Sequence, residues 1–306
     1  MKEAVFLFPG QGSQFVGMGA TLAQTFPETA RTFEEANESL GFDLAKVMFE
    51  GPEAELVKTK NAQPAILTHS VAVLRVLAAR GLSPRAASGH SLGEYSAYVA
   101  AGALSLSDAV RLVRRRGELM FEAGLERPGT MAAILGLDAD EITALCREVT
   151  QGVVAPANFN SPGQVVVSGD PPAVEAFMAL AKTKGAKRTI PLNVSGAFHS
   201  PLMANAASGL QRALAEVTIR PAAIPVIANA SATSVTEPEA IRDSLYRQLE
   251  SPVRWEESMR VLLKSPGPPF LEVGPGKVLR GLLRNIERDA ECGTAGEPAE
   301  IEEVLP

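Results

Sequence analysis

The sequence predicts an α/β protein with a mostly parallel sheet, interrupted by a small unit of its own. Three observations carry this. Apolar strand-like runs alternate with helical periodicities through the first part of the chain, as in a parallel sheet with helical crossovers. From residue 130 to residue 194 the order becomes β-α-β-β-α-β, that of a ferredoxin-like unit. Helix and strand then alternate again, so the small unit reads as an insertion. The expected division is 1–128 with 196–306 for the large domain and 129–195 for the small one.

Taken in order, residues 3–8 form an apolar strand, too short for a secretory signal. The glycine-rich loop Gly10-Gln11-Gly12-Ser13-Gln14 follows. Helical periodicity covers 29–40 and 65–79. A short buried strand over 82–88 leads into Gly89-His90-Ser91-Leu92-Gly93, then a helix over 94–101 that ends near Gly102. Another helix spans 107–123. The small unit has strand 131–137, helix 140–149, strands 153–158 and 164–168 joined by Asn160-Ser161-Pro162-Gly163, helix 172–185 and strand 187–192. The chain returns with helix 200–217, strand 224–228, helix 240–249, strand 270–273, the turn Gly274-Pro275-Gly276 and a closing helix 278–286. Residues 293–306 are acidic and rich in Gly, Pro and Ala, and read as a loose tail.

The 306 residues are 46% hydrophobic and 21% charged, enough for a large core or two domains. No apolar run reads as long enough to span a bilayer, so no membrane partner is expected. Cys146 and Cys292 lie far apart and offer neither a disulfide framework nor a metal spacing, which points to a reducing cytoplasm. Cys146 falls in the apolar periodicity of Ile142, Leu145 and Val149 and reads as packing. The formal net charge of −6 argues against a nucleic-acid partner.

Gly89-His90-Ser91-Leu92-Gly93 fits G-x-S-x-G, the nucleophile elbow, in which a serine sits on a sharp turn between strand and helix. The plainer reading is a glycine turn with a capping serine. A nucleophilic serine needs a base, and the chain has three histidines. His90 neighbours Ser91, and adjacent turn residues point apart. His69 lies in an apolar helix and reads as a satisfied core histidine. His199 opens a helix where the chain returns from the small unit, the place from which a base could meet Ser91. The N–H of Leu92 is one candidate oxyanion donor, and the loop 10–14 is placed to supply a second. That loop lacks the spacing of a Walker or dinucleotide motif, so nucleotide binding ranks below the oxyanion role. Arg116 falls inside the apolar stripe Ala109, Leu112, Val113, Leu119, Met120, opposite Asp108, Arg111, Arg115, Glu118 and Glu122. A buried arginine needs a partner. The stripe leaves open a ligand carboxylate, a protein carboxylate, or snorkelling to water.

Seven stretches resemble the malonyl-CoA:acyl carrier protein transacylase family of fatty-acid synthesis. They are Phe8-Pro9-Gly10-Gln11-Gly12-Ser13-Gln14, Gly89-His90-Ser91-Leu92-Gly93-Glu94, Arg115-Arg116-Gly117-Glu118-Leu119-Met120, Asn158-Phe159-Asn160-Ser161-Pro162-Gly163-Gln164, Gly196-Ala197-Phe198-His199-Ser200, Gln248-Leu249-Glu250-Ser251-Pro252-Val253-Arg254-Trp255 and Glu272-Val273-Gly274-Pro275-Gly276. They stand in family order over nearly the whole chain. The resemblance implies an α/β-hydrolase-like large domain with an inserted ferredoxin-like small domain, and a site between them. It makes Ser91 the nucleophile, His199 its base, and the backbone of Gln11 and Leu92 the oxyanion hole. It makes Arg116 the clamp for malonate's free carboxylate. Gln248 matches the carbonyl-type acceptor that orients the histidine. Phe198 resembles the malonyl-selective form of its motif, and Asn160 is counted with the substrate-binding residues.

The implied reaction is ping-pong transfer of malonyl from CoA to the phosphopantetheine thiol of acyl carrier protein, without metal or bound cofactor, by a monomer. A serine esterase is the alternative. It explains the elbow but not Arg116, and it calls for an acid between Ser91 and His199, where Asp138, Asp140, Glu148, Asp170 and Glu175 all lie in the inserted unit. A noncatalytic carrier-binding module ranks last, since neither nucleophile nor base is missing. Lys182, Lys184, Lys187 and Arg188 could dock an acidic carrier, or simply form a solvated face.

Overall fold

The computed structural model describes residues 2–194 and 196–305; the expected domain limits at 1, 195 and 306 lie outside the described residues. Two sheets are formed by β1 (Glu3–Phe8), β2 (Ser83–Gly89), β3 (Thr130–Leu135), β4 (Val154–Ser161), β5 (Gln164–Gly169), β6 (Arg188–Leu192), β7 (Val226–Ile227), β8 (Phe270–Val273) and β9 (Cys292–Ala295). The larger sheet has the order β7-β2-β1-β8-β9 with every pairing parallel. The smaller, β4-β5-β3-β6, is antiparallel throughout. Counted within the insertion, that is second, third, first, fourth, the ferredoxin-like order the sequence predicts.

The central strand β1 is apolar without alternation because both its faces are covered. Ala4, Phe6 and Phe8 join the main core, while Val5 and Leu7 pack with Trp255, Met259 and Leu262 on the other side. The helix Thr59–Ala79 runs through the main core. By length and composition it could cross a membrane, but 78% of its apolar window is buried inside the molecule, where an all-round apolar helix belongs. It starts six residues before the expected 65 and carries Pro64 in its second turn.

The small sheet packs one face against its own helices, Ala139–Glu148 and Pro171–Thr183, around Ile134, Leu145 and Phe177. Its other face contributes Met131, Ala157 and Val166 to the main core. The two linkers cross at Gly129, where a Cβ would sit 2.5 Å from the Ala197 nitrogen. A parallel bridge joins Asn158 to Val253, with Phe159 N–H donating to the Val253 carbonyl at 2.9 Å.

Several expectations are corrected. The end of the chain is not a loose tail: β9 adds an edge to the parallel sheet, and the helix Pro298–Val304 covers it with Ile301 buried. Small residues in that strand hide it from a hydrophobicity reading. The strand expected over 224–228 shortens to Val226–Ile227. The helix expected over 200–217 divides into a 3₁₀ turn, Pro201–Met203, and a helix, Ala204–Ala215. Helices Ala20–Thr25, Leu44–Glu50 and Trp255–Lys264 were not expected. His69 is a core residue but not a satisfied one: neither ring nitrogen finds a partner among the described residues.

Candidate active site

β2 ends at Gly89 and the helix Gly93–Ala100 begins four residues later, so Ser91 sits at the tip of a tight strand-to-helix turn. Its φ of 52° is left-handed, a strained choice for a residue with a Cβ. The flanking glycines are forced by contact. A Cβ at Gly89 would lie 1.9 Å from the Gly93 carbonyl carbon, and one at Gly93 would lie 2.1 Å from the Phe8 oxygen. Gly89-His90-Ser91-Leu92-Gly93 therefore has elbow geometry, not just an elbow pattern.

His199 Nε2 lies 2.7 Å from Ser91 Oγ, and His199 Nδ1 lies 2.9 Å from the main-chain oxygen of Gln248. That carbonyl can only accept, so Nδ1 carries the ring proton and Nε2 is free to take one from the serine. Burial, helped by the Arg116 charge, pushes the His199 pKa down to about 3, so the ring is neutral at ordinary pH.

Arg116 projects from the helix Leu106–Glu126 and is almost fully buried. Its Nη1 donates to Gln63 Oε1 at 2.9 Å, and its Nη2 donates to Gln248 Oε1 at 3.0 Å and to Ser91 Oγ at 3.1 Å. Its Nε has no hydrogen-bond partner among the described residues. None of the ion pairs among the described residues includes Arg116. Among the described residues no carboxylate pairs with it, and at 1% exposure it faces the cleft without snorkelling into bulk water, so two of the three readings the sequence left open do not hold. Burial lowers its pKa, yet a guanidinium stays charged. It is a buried cation one hydrogen bond from Ser91.

A count of elbow N–H groups identifies the free donor. His90 N–H goes to Phe8 O, Ser91 N–H to Asn229 Oδ1, Gly93 N–H to His90 O, and Glu94 N–H to Ser91 O. Leu92 N–H alone among these has no acceptor among the described residues, and Leu92 lines the cleft beside Ser91. Gly10 presses on the elbow, since a Cβ there would lie 2.5 Å from the His90 oxygen, and this brings Gln11 to the same cleft. The cleft holds about 420 Å³ between the two sheets, with Ser91, His199, Arg116 and Phe198 from the large domain and Met131, Asn158 and Leu192 from the small one. Asn160 stands behind this wall. Its Oδ1 meets His90 Nε2 at 2.9 Å, and it lines an adjoining groove of about 210 Å³ with Gln11, Asn158 and Gln164. His90 thus turns away from Ser91, as expected.

Three residues that hold the site were not found in the sequence. Asn229, just past β7, accepts the Ser91 N–H at 2.7 Å and donates to Gly89 O at 2.7 Å. Glu94 is buried, and its carboxylate receives Gln248 Nε2 at 2.7 Å, Asn229 N at 3.0 Å and Ser244 Oγ at 3.1 Å. Burial raises its pKa, against these hydrogen bonds. Gln63 is wholly buried. The one available signal was a polar residue at an apolar position, as at Arg116. Lys182, Lys184, Lys187 and Arg188 are all exposed. Among the described residues no three His, Cys, Asp or Glu side chains converge as a metal site.

The chain matches the acyl transferase domain family over residues 5–296. A malonyl CoA-acyl carrier protein transacylase of Bacillus subtilis is 49% identical over 304 residues, spanning 99% of this chain and 96% of that one. The protein of the same name in Escherichia coli K12 is 46% identical over 307 residues, 100% of this chain and 99% of its own. An acyl carrier protein S-malonyltransferase from Vibrio cholerae superposes with a TM-score of 0.95 at 44% identity, covering 99% and 100% of the two chains. A malonyl-transacylase solved in complex with a type II polyketide acyl carrier protein gives 0.95 at 43% identity, covering 100% and 99%.

Proposed function

The chain belongs to the acyl transferase domain family, and we propose that it moves a malonyl group from malonyl-CoA to the phosphopantetheine thiol of acyl carrier protein, the step that feeds fatty-acid elongation. It is an acyltransferase, an [acyl-carrier-protein] S-malonyltransferase like the relatives just named. The observation that carries the substrate assignment is Arg116: a buried guanidinium against Ser91, held by no carboxylate of its own.

In the first half-reaction Ser91 Oγ attacks the thioester carbonyl carbon while its proton passes to His199 Nε2. The oxyanion is stabilised by the N–H groups of Leu92 and Gln11. Collapse breaks the C–S bond, and His199 returns its proton to the CoA sulfur, leaving a malonyl ester on Ser91. In the second half the carrier thiol loses its proton to His199 as its sulfur attacks the ester, and Ser91 regains its hydroxyl. The main-chain carbonyl of Gln248 stabilises the imidazolium in each half. Neither step calls for a metal or redox cofactor.

Malonate's carboxylate would take the fork of Arg116 in a charge-assisted pair, with Phe198 closing the acyl end. The groove past Asn158 and Asn160 offers amide partners to the pantetheine arm. The exposed Lys182, Lys184, Lys187 and Arg188 would dock an acidic carrier. Arg188 lies four residues along β6 from cleft-lining Leu192, about 13 Å at strand rise. Reversing these charges should weaken carrier binding at low salt and leave CoA loading unchanged; unchanged carrier affinity would remove this surface. We take a monomer as the working unit, and both free cysteines suit a reducing cytoplasm.

Among the described residues the esterase alternative finds no carboxylate on His199 Nδ1. Asp138 caps Glu141 N–H and Asp170 is engaged by Arg127 and Val153, while the His199 acceptor is a backbone oxygen. The deciding experiment is intact-protein mass spectrometry with malonyl-CoA, then with phosphopantetheinylated carrier. An adduct on Ser91 that moves to the carrier is expected, with none on Ser91→Ala. An adduct lost to water without transfer would favour the esterase.

A further inference from the structure

Both side-chain amides that hold Arg116 present oxygen to it. Gln63 Oε1 receives Nη1 and Gln248 Oε1 receives Nη2. Gln248 also donates to Ser91 O at 2.9 Å and to Glu94, so its side chain serves the elbow as well. Gln63 serves nothing of that kind. It is wholly buried on the helix Thr59–Ala79, and among the described residues its Nε2 reaches only the Met120 sulfur, a weak acceptor, at 3.2 Å. The carboxylate of Glu94 makes no hydrogen bond to Arg116: it acts on it through space and through the Gln248 amide, which leaves the guanidinium fork itself unpaired with an acid.

The chemistry of these acceptors matters. A guanidinium without water needs oxygen partners. A carboxylate would supply them and cancel the charge, often taking two N–H groups in one fork. An amide oxygen supplies a dipole and cancels nothing. We propose that Gln63 is a specificity-determining positioning residue: its neutral oxygen fixes the Arg116 guanidinium while leaving the charge free for the carboxylate of the acyl group. This rests on the malonyl reading given above.

The test compares kcat/KM for malonyl-CoA and for acetyl-CoA, which lacks the carboxylate, in the wild type, Gln63→Glu and Gln63→Met. Gln63→Glu gives Arg116 an internal carboxylate of the same shape. The malonyl-to-acetyl ratio should fall at least about tenfold, chiefly through KM for malonyl-CoA, the size expected when a charge-assisted pair meets a competitor. Gln63→Met removes the acceptor and keeps the bulk, and the ratio should fall less. A wild-type ratio in Gln63→Glu, or equal losses on both substrates, overturns the proposal. If Gln63→Glu does not fold, Gln63→Met decides, and a wild-type ratio there overturns it too. Labelling of Ser91 by phenylmethanesulfonyl fluoride checks that each variant keeps a working Ser91–His199 pair. A wild type that takes up no malonyl on Ser91 rejects the underlying reading, not the role of Gln63.

Discussion

His199 Nδ1 is 2.9 Å from the backbone oxygen of Gln248, so the third member of the proposed triad is a carbonyl that no side-chain substitution deletes. It follows that the acids of the inserted unit, Asp138, Asp140, Glu148, Asp170 and Glu175, are dispensable for chemistry. Glu148→Gln and Glu175→Gln should each keep malonyl loading within about twofold of wild type, as exposed substitutions far from the site do. Loss of loading in either, measured by single-turnover labelling, would restore an acid triad.

Arg116→Ala should separate substrates. Malonyl transfer loses a charge-assisted pair, a drop of about tenfold to a hundredfold in kcat/KM relative to acetyl transfer. The measurement is the ratio of the two, because the variant also strips a hydrogen bond from Ser91 Oγ. Equal losses on the two acyl groups would count against the clamp.

The pH profile follows from His199. Its pKa is held at about 3, so the neutral base persists as the pH falls through the ordinary histidine range. kcat/KM for malonyl loading should show no acid limb centred near 6.5. Such a limb, absent from a titration of malonyl-CoA itself, would mean that the base is more solvated than its burial suggests.

His69 tests linkage. Burial lowers its pKa from 6.5 to about 4, while the unfolded chain titrates at the ordinary value. The stability it confers is complete above pH 6.5 and is lost as the pH falls toward 4, because unfolding then takes up a proton. Buried acids such as Glu272, raised to about 7, oppose this trend, so the informative quantity is a difference. His69→Leu should lose less urea midpoint than wild type between pH 7 and pH 5. Parallel losses would show that His69 is not the titrating group.

What the sequence made legible follows from what each residue must satisfy locally. The elbow could be read because a turn that tight admits only glycine at 89 and 93. Arg116 could be flagged because charge interrupts an apolar period, but its partners could not, since they come from two other helices far along the chain. The small unit was legible through its β-α-β-β-α-β order along the chain, whereas the packing of one face of its sheet into the main core was not, because that contact joins residues far apart in sequence. Asn229 and Glu94 were missed because a polar residue after a strand, or in a helix's first turn, looks like an ordinary cap. The C-terminal strand was missed because its partner is a strand 22 residues back, from the start of β8 to that of β9, not a neighbour with a visible turn.

The left-handed backbone at Ser91 sets heat resistance against turnover. Ser91→Gly and Ser91→Ala lose the same hydroxyl, but only glycine is at ease at a φ of 52°. The glycine variant should therefore melt higher than the alanine variant, by the few degrees that about 1 kcal/mol represents. Both would be dead. A selection for thermal endurance that never asked for product would find the catalytic position among the cheapest to improve, and would discard the enzyme in improving the protein.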